Sequence, residues 1–171
     1  LGKAIAKKAK AFDMKVIATR RLQKKVEHKK TVDELIPVSN LSHLLKNSDF
    51  VVIACPLTPV TKNMIGKREL SEMKSTAFII NIARGEIINE AALINALQNK
   101  TLAGAALDVF EKEPLPKESP LFALDNVFLS PHISGNFPEY QHDVMVQFAD
   151  NLNRYLAGKD LKNRVCKKRL Y

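Results

Sequence analysis

The sequence predicts an α/β protein whose core is a doubly wound parallel sheet. Short segments that are almost wholly apolar, such as 50–54 and 77–83, alternate with segments whose apolar residues recur at helical spacing. Strands that are apolar on both faces are typical of a parallel sheet covered by helices on both sides. Polar or turn residues follow four of these strands, at the edge where such sheets bind their ligands.

The first half of the chain is predicted to contain two helices and two strands. A helix over 2–12 precedes a short strand at 15–19, and a second helix leads into a buried strand at 50–54. The first helix carries apolar residues at helical spacing, namely Ile5, Ala6, Ala9 and Phe12. The second helix is marked by Leu41, Leu44 and Leu45, and either Ser39 or Asn40 can serve as its N-cap.

The second half continues the alternation and ends in a long amphipathic helix. The remaining strands are predicted at 77–83, 102–110 and 126–130. Glycine within the segment 102–110 suggests that another part of the chain approaches the strand closely. A short helix is predicted at 70–74, and Asn89 can cap the helix after the strand 77–83. The final helix, 138–157, has apolar residues four apart, namely Tyr140, Val144, Phe148, Leu152 and Leu156.

Composition is ordinary for a globular protein of one domain with an appendage. The 171 residues are 46% apolar and 26% charged, and no apolar run is long enough to span a bilayer. No signal peptide is evident, and Cys55 and Cys166 show neither metal-ligand spacing nor a disulfide framework. These features predict a cytoplasmic protein without a metal site.

The net charge of +9 has two interpretations. It could serve a polyanionic partner such as nucleic acid. However, the lysines are spread over Lys3–Lys30, Lys62–Lys74 and Lys159–Lys168, without interleaved aromatic residues or a nucleic-acid motif. This distribution favours a lysine-rich surface, whose field would also suit an anionic small substrate or a phosphate-bearing cofactor.

Ionisable residues follow three of the predicted strands. Arg84 comes directly after the strand 77–83, and a buried guanidinium without a partner would be very costly. Arg84 therefore either leaves the core for water or awaits an anion at the end of the strand. Asp108 comes directly after residues 102–107 of the next apolar segment, with Glu113 five residues further on, and His132 follows the last strand. Their joint placement at one edge of the sheet favours a functional interpretation over four unrelated surface charges.

Four stretches together resemble the D-isomer-specific 2-hydroxyacid dehydrogenases: "CPLTPVT", "INIARGEIINEAAL", "LAGAALDVFEKEPLP" and "NVFLSPHISG". The resemblance covers nearly the whole chain and implies a Rossmann-like fold. It implies hydride transfer between a nicotinamide cofactor and a small 2-hydroxy or 2-keto acid. It also implies that Arg84, Glu113 and His132 are catalytic and that Asp108 lies on the nicotinamide side of the cofactor.

The resemblance implies further contacts with the cofactor. These fall on Cys55, Pro56, Thr61, Ile82, Ala83 and Gly135. Many members of the family have histidine where this chain has Cys55.

The cofactor's other end is predicted near the N-terminus. Gly2 matches the third glycine of the dinucleotide fingerprint, while the first strand and the first two glycines are absent. Where an acid usually binds the ribose of NAD, the chain has Thr19, Arg20 and Arg21, and guanidiniums attract the 2′-phosphate of NADP. NADP is therefore favoured over NAD. The alternative is that both arginines are solvated and NAD is used.

The fold is expected to be truncated at its N-terminus, without the first strand and without the substrate domain. That strand would lie beside 15–19 and either 50–54 or 77–83. Residues 1–137 would form an incomplete dinucleotide-binding domain. Residues 138–158 would form a helix that packs back towards the substrate domain, and 159–171 a polar tail.

Three classes of function remain possible at this point. The first is a dehydrogenase, acting as a homodimer on a small acid, without nucleic-acid or membrane partners. The second is a non-catalytic nucleotide-binding or regulatory module of the same fold, which would have no need of all three catalytic residue types. The third and weakest is a basic nucleic-acid-binding domain.

Overall fold

The structure is a computed structural model that describes residues 1–167. The described helices are α1 Gly2–Ala11, α2 Leu41–Asn47, α3 Lys67–Glu72, α4 Glu90–Gln98 and α5 Tyr140–Leu156. The described strands are β1 Ile17–Thr19, β2 Glu27–Lys29, β3 Val32–Ile36, β4 Phe50–Ile53, β5 Phe78–Asn81, β6 Gly104–Leu107 and β7 Val127–Leu129. The chain divides into two compact units, one that ends at Pro131 and one that begins at His132.

The first unit contains a four-stranded, fully parallel sheet in the order β4-β5-β6-β7. Its register pairs Phe50 with Phe78, Phe78 with Gly104, and Ala105 with Val127. Each crossover carries helical structure, as parallel neighbours require. The predicted α/β fold with a parallel sheet is therefore confirmed. The four predicted polar strand ends do lie at the same edge of this sheet.

A second sheet in the same unit has the order β1-β3-β2, with β1 parallel and β2 antiparallel to β3. Neither β2 nor β3 was expected from the sequence. The reason is that β3 carries two acids, Asp33 and Glu34, where an apolar pattern is expected of a strand. Asp33 accepts hydrogen bonds from Val16 N at 2.7 Å and from Lys10 Nζ at 3.0 Å, while Glu34 pairs with Lys15 Nζ at 2.7 Å. These contacts satisfy the polar side chains of the strand.

The two sheets are not hydrogen-bonded to each other. Strand β1 is an edge of one sheet and β4 is an edge of the other. In a doubly wound sheet the first strand lies between two such neighbours. That a further strand lies between β1 and β4 stays a prediction. Both sheets nevertheless contribute to one apolar core, since Ile36 of β3 belongs to the same buried cluster as Val51 and Ile53.

Two local predictions are confirmed by side-chain geometry. The Asn89 side chain caps α4 by accepting a hydrogen bond from Ala92 N at 2.8 Å. A Cβ atom at Gly104 would lie 2.5 Å from Asn126 O and 2.6 Å from Phe78 Cε1, so the close approach predicted for this strand is present.

Asn40, one of the two predicted N-caps of α2, does hold the N-cap position. It follows a 3₁₀ turn at Val38–Asn40, and its side chain makes no cap hydrogen bond.

Other predicted boundaries were wrong. The short helix begins at Lys67 rather than 70, where Glu69 Oε2 accepts from Gly66 N at 3.1 Å. The strand predicted over 102–110 covers Gly104–Leu107 alone.

The second unit begins at His132 and contains α5. Part of the predicted polar tail is folded against this helix: Asn151 Oδ1 accepts from Lys162 N at 2.8 Å, and Arg154 Nη1 donates to Asp160 O at 3.0 Å. Residues 168–171 of that tail lie outside the described residues. None of the described helices has the length and apolar character needed to cross a membrane.

Candidate active site

The Arg84 loop begins where β5 ends, at Asn81. The Asn81 side chain is buried, with 1% exposure. Its Oδ1 accepts from Ala83 N at 3.1 Å and its Nδ2 donates to Arg84 O at 2.9 Å. These bonds turn the chain out of the strand at residue 81, two residues before the end predicted from the apolar run 77–83. Arg84 is exposed, which answers the question raised by its position after an apolar strand.

The Arg84 side chain is held loosely. Its backbone is extended, with φ −149° and ψ 139°, and its Nη1 donates to Ala83 O at 2.6 Å. A guanidinium has several N–H donors, so this bond leaves others for a bidentate contact with a carboxylate.

Gly85 joins the Arg84 loop to the loop that carries Glu113. A Cβ atom at Gly85 would lie 1.9 Å from the carbonyl carbon of Phe110 and 2.4 Å from Glu111 N, so a side chain cannot fit. Glycine is therefore required here for close contact between two backbones. On the other side of the contact, Glu113 Oε1 accepts from Phe110 N at 3.0 Å. The two loops form one packed structure at the carboxyl edge of the sheet.

Asp108 is also tied to this structure. Its side chain is buried, with 4% exposure, and its backbone N–H donates to Asn81 O at 3.0 Å. The hydroxyl of Ser130 donates to Asp108 Oδ1, which links the end of β6 to the end of β7. Asn81 therefore contacts the loops of two predicted site residues, Arg84 through its side chain and Asp108 through its carbonyl.

The segment after β4 forms a compact turn. Thr61 Oγ1 donates to Pro56 O at 2.8 Å and accepts from Thr58 N at 2.8 Å, so its hydroxyl shapes the turn itself. Cys55 is half-buried, and burial raises the pKa of its thiol, which keeps it protonated and uncharged at neutral pH. The predicted cofactor contacts of Cys55, Pro56 and Thr61 stay predictions.

The turn is connected to the Arg84 loop by backbone pairing. Asn63 N donates to Glu86 O at 2.8 Å, and Ile65 N donates to Ile87 O at 3.1 Å. Of the two other predicted cofactor residues in this region, Ala83 is buried and Ile82 is half-buried beside β4, with Ile82 N 3.5 Å from Ile53 O. Their cofactor contacts stay predictions as well.

The residues predicted to select the cofactor follow β1. Arg20 and Arg21 are exposed, and Arg20 Nε donates to Gln23 Oε1 at 3.0 Å. Gln23 is buried, with 5% exposure, and its Nε2 donates to Lys25 O at 2.6 Å, so it anchors the turn that presents the arginines. Within residues 1–167, the buried hydroxyl Thr19 Oγ1 has no hydrogen-bond partner.

The remaining predicted residues are placed more simply. Gly2 begins α1, and a Cβ atom there would meet Ala54 Cβ at 4.0 Å, an ordinary contact. His132 and Gly135 are exposed and belong to the second unit. His132 has a φ of 55°, in the left-handed region that non-glycine residues seldom adopt. The structure thus brings Arg84, Asp108 and Glu113 together in the first unit and places His132 at the start of the second.

Sequence reasoning missed three residues that support the site: Asn81, Gln23 and Ser130. Asn81 left one signal, since an amide within a strand of isoleucines needs hydrogen-bond partners if it is buried. Gln23 left none, because it lies in a polar segment where its burial depends on the fold. Ser130 left none, because its contact with Asp108 joins the ends of two strands that only the fold brings together.

The parallel sheet with ionisable residues at its carboxyl edge is the architecture of a Rossmann-like nucleotide-binding domain. Residues 1–134 match the family model described as "D-isomer specific 2-hydroxyacid dehydrogenase, NAD binding domain". The chain belongs to this family, as the sequence motifs indicated.

Relatives and solved structures agree with this assignment. A glyoxylate reductase of Thermococcus gammatolerans is 49% identical over 133 residues, covering 78% of this chain and 39% of the relative. An NADPH-dependent glyoxylate/hydroxypyruvate reductase of Sinorhizobium meliloti, solved with NADP and sulfate, is 30% identical with a TM-score of 0.90, covering 100% of this chain and 54% of that one. A D-isomer specific 2-hydroxyacid dehydrogenase of Xanthobacter autotrophicus, solved with NADPH and MES, is 36% identical with a TM-score of 0.82, covering 92% and 63%. The chain thus spans about half the length of the proteins it matches.

Proposed function

We propose that the protein containing this chain is an NAD(P)-dependent oxidoreductase that interconverts a small 2-keto acid and its D-2-hydroxy acid. The observation that carries the proposal is the joint anchoring of Arg84, Asp108 and Glu113 at one sheet edge through Asn81 and the Gly85 contact. A module that merely bound a nucleotide would have no use for an exposed arginine and a glutamate there. The relatives named glyoxylate reductase support the same class of reaction.

Each catalytic residue has a chemical role in this proposal. Arg84 pairs with the substrate carboxylate and polarises the neighbouring carbonyl, since a guanidinium matches a carboxylate bidentately. His132 gives a proton to the developing alkoxide, or removes one in the oxidation direction. Glu113 accepts a hydrogen bond from the imidazole, which fixes its tautomer and favours its protonated form.

The residues after β1 suit a nicotinamide dinucleotide that carries a 2′-phosphate. Next to Thr19, the exposed guanidiniums of Arg20 and Arg21 offer donors to a ribose phosphate at a strand end. NADP is therefore the proposed cofactor, with NAD as the alternative. When bound, the cofactor supplies or accepts the hydride, and Asp108 lies on the side of its nicotinamide ring.

The proposal extends to partners and setting. The substrate is a 2-keto acid as small as those in the names of the relatives, glyoxylate or hydroxypyruvate. The protein acts as a homodimer in the cytoplasm, binds neither membrane nor nucleic acid, and contains no metal. Residues 138–158 pack back towards a substrate domain encoded elsewhere in the full-length protein.

The test is a steady-state assay of the full-length protein with NADPH or NADH and a series of 2-keto acids. The rate of reduction should differ among the acids of this series, which comprises glyoxylate, hydroxypyruvate, pyruvate and bulkier 2-keto acids. We expect turnover with at least one small acid. Tight nucleotide binding without turnover on any of them would instead support the alternative of a regulatory nucleotide-binding module.

A further inference from the structure

Asn81 is a buried polar side chain at the centre of the candidate site that the proposed chemistry does not use. Its amide makes one bond as an acceptor, from Ala83 N, and one as a donor, to Arg84 O. Its own carbonyl accepts from Asp108 N at 3.0 Å. Burying an amide costs free energy unless such bonds are made, and apolar residues fill the neighbouring positions of this strand.

We propose that Asn81 is a positioning residue that sets the direction in which Arg84 leaves the sheet. The inference rests on the proposed function, in which Arg84 binds the substrate carboxylate. The Asn81 side chain spans the turn from residue 81 to residue 84 and fixes the backbone on both sides of the Arg84 amide bond. Because the same residue accepts from Asp108 N, it also fixes that backbone relative to the end of β6.

The Arg84 backbone is fixed from two directions. Gly85, on its C-terminal side, is held against the Phe110 backbone. Asn81, on its N-terminal side, donates to the Arg84 carbonyl, which also accepts from Ile87 N at 3.3 Å. The Arg84 side chain itself is exposed, and its Nη1 donates to Ala83 O within the same loop, so its orientation depends on the backbone that carries it.

An asparagine is specifically suited to this place. Aspartate has the same shape but offers two acceptors, so it could take the bond from Ala83 N and would repel the Arg84 carbonyl. Serine keeps one donor but is too short to make both bonds. Both variants fit the space of the asparagine but disturb the turn differently. Asn81→Asp removes the donor to the Arg84 carbonyl, and Asn81→Ser is too short to make both hydrogen bonds.

The test compares these variants in the full-length protein with a matched control at the opposite edge of the sheet. Asn126 also donates from its Nδ2 to a backbone carbonyl, that of Leu97 at 3.3 Å, but it precedes β7 and is remote from the carboxyl edge. Unfolding temperature, dissociation constants of NADPH and NADH, and kcat and KM for the best 2-keto acid are measured for Asn81→Asp, Asn81→Ser and Asn126→Asp.

We expect each Asn81 variant to lower kcat/KM by roughly tenfold or more, with a raised KM for the 2-keto acid. Cofactor binding should stay within about twofold, as should every kinetic constant of Asn126→Asp. If one Asn81 variant does not fold, the other carries the comparison. Folded variants with wild-type kcat/KM would overturn this inference while leaving the proposed function intact.

Coupling to Arg84 separates positioning from a general loss of stability. On an Arg84→Ala background the guanidinium is gone, so Asn81→Asp should cause little further loss of kcat/KM. An equal loss on both backgrounds would mean that Asn81 acts elsewhere and would overturn the inference. A wild-type protein that reduces no 2-keto acid would overturn the proposed function and this inference together.

Discussion

At the scale of the residue, the candidate site combines the exposed guanidinium of Arg84 with the buried amide of Asn81, which bonds to the Arg84 backbone. Arg84 could be singled out from the sequence as a candidate site residue, because an arginine directly after an apolar strand needs either an anion or water. The two hydrogen bonds by which the Asn81 side chain holds the backbone of Ala83 and Arg84 could not be predicted from the sequence. They form because the chain turns after residue 81, and the sequence does not reveal that turn.

On the proposed function, replacing Arg84 with alanine in the full-length protein should reduce activity without unfolding it. The side chain is exposed and makes one hydrogen bond to its own loop, so little stability is lost. The transition state should lose about 3–4 kcal/mol, the typical contribution of an oriented charged donor. Steady-state kinetics with a 2-keto acid measure the loss. Arg68→Ala, which removes an exposed arginine paired with Glu72, is the control, and near-wild-type turnover of Arg84→Ala would refute the assignment.

Glu113 and His132 should behave as one unit in the full-length enzyme. If the carboxylate holds the imidazole, removing either residue abolishes the same function, so Glu113→Gln with His132→Gln should cost scarcely more than one of them alone. A double-mutant cycle on kcat/KM measures the coupling. Strictly additive losses would show that the two residues work independently.

At the scale of the element, the sequence predicted the strands that are apolar and missed those that are charged. Strands β4 to β7 consist almost wholly of apolar residues, so their runs are visible without a structure, even though Phe50 and Phe128 are exposed. In strand β3, Asp33 pairs with Lys10 and Glu34 pairs with Lys15. These ion pairs join residues that are distant in sequence, so they could be recognised only in the folded structure.

The sheet that contains β3 should weaken in acid. Hydrogen bonding from Val16 N–H and then Lys10 lowers the pKa of Asp33 below its ordinary 3.8, and Lys15 followed by His43 lowers the pKa of Glu34 below 4.5. A lowered folded-state pKa contributes stability above the ordinary value that is lost as the pH falls through the lowered one. We expect amide exchange in β1 and β3 to accelerate below about pH 4 relative to β5. The Asp33→Asn variant should show a smaller pH dependence, and equal sensitivity of β5 would contradict the argument.

The contact between the Gly85 loop and the Phe110 loop should not tolerate a methyl group. In Gly85→Ala the new Cβ would lie 1.9 Å from backbone carbon, so one loop must move. We expect a loss of unfolding free energy of about 1–3 kcal/mol, together with reduced kcat, because the same contact joins the Arg84 and Glu113 loops. Chemical denaturation measures the first quantity. Gly66→Ala is the control, because the nearest atom to its new Cβ would be an oxygen of the flexible Glu69 carboxylate at 3.4 Å. A similar loss of unfolding free energy in Gly66→Ala would contradict the argument for Gly85.

At the scale of the whole molecule, the charge is concentrated at one end of the chain. Residues 1–30 hold eleven of the 27 lysines and arginines but two of the 18 carboxylates, so they account for the whole net charge of +9. Helix α1 and the turn after β1 both lie in this segment. A cofactor with an extra phosphate would therefore be attracted both by the general field and by any direct contact with Arg20 and Arg21.

These two effects can be separated by charge-matched variants of the full-length enzyme. Arg20→Asp with Arg21→Ser removes the guanidiniums at the strand end, whereas Lys7→Asp with Lys8→Ser makes the same change of charge on exposed positions of α1. If the arginines contact the 2′-phosphate, the first pair should weaken NADPH binding by roughly tenfold or more and leave NADH binding within about twofold. The second pair should weaken NADPH binding slightly, and added salt should abolish that smaller effect because it screens the field. Dissociation constants for both cofactors, measured at low and high salt, give the answer. If the two pairs of substitutions weaken NADPH binding equally, Arg20 and Arg21 act through the general electrostatic field and not through contact with the 2′-phosphate. If the unmutated protein prefers NADH, the proposed cofactor is wrong.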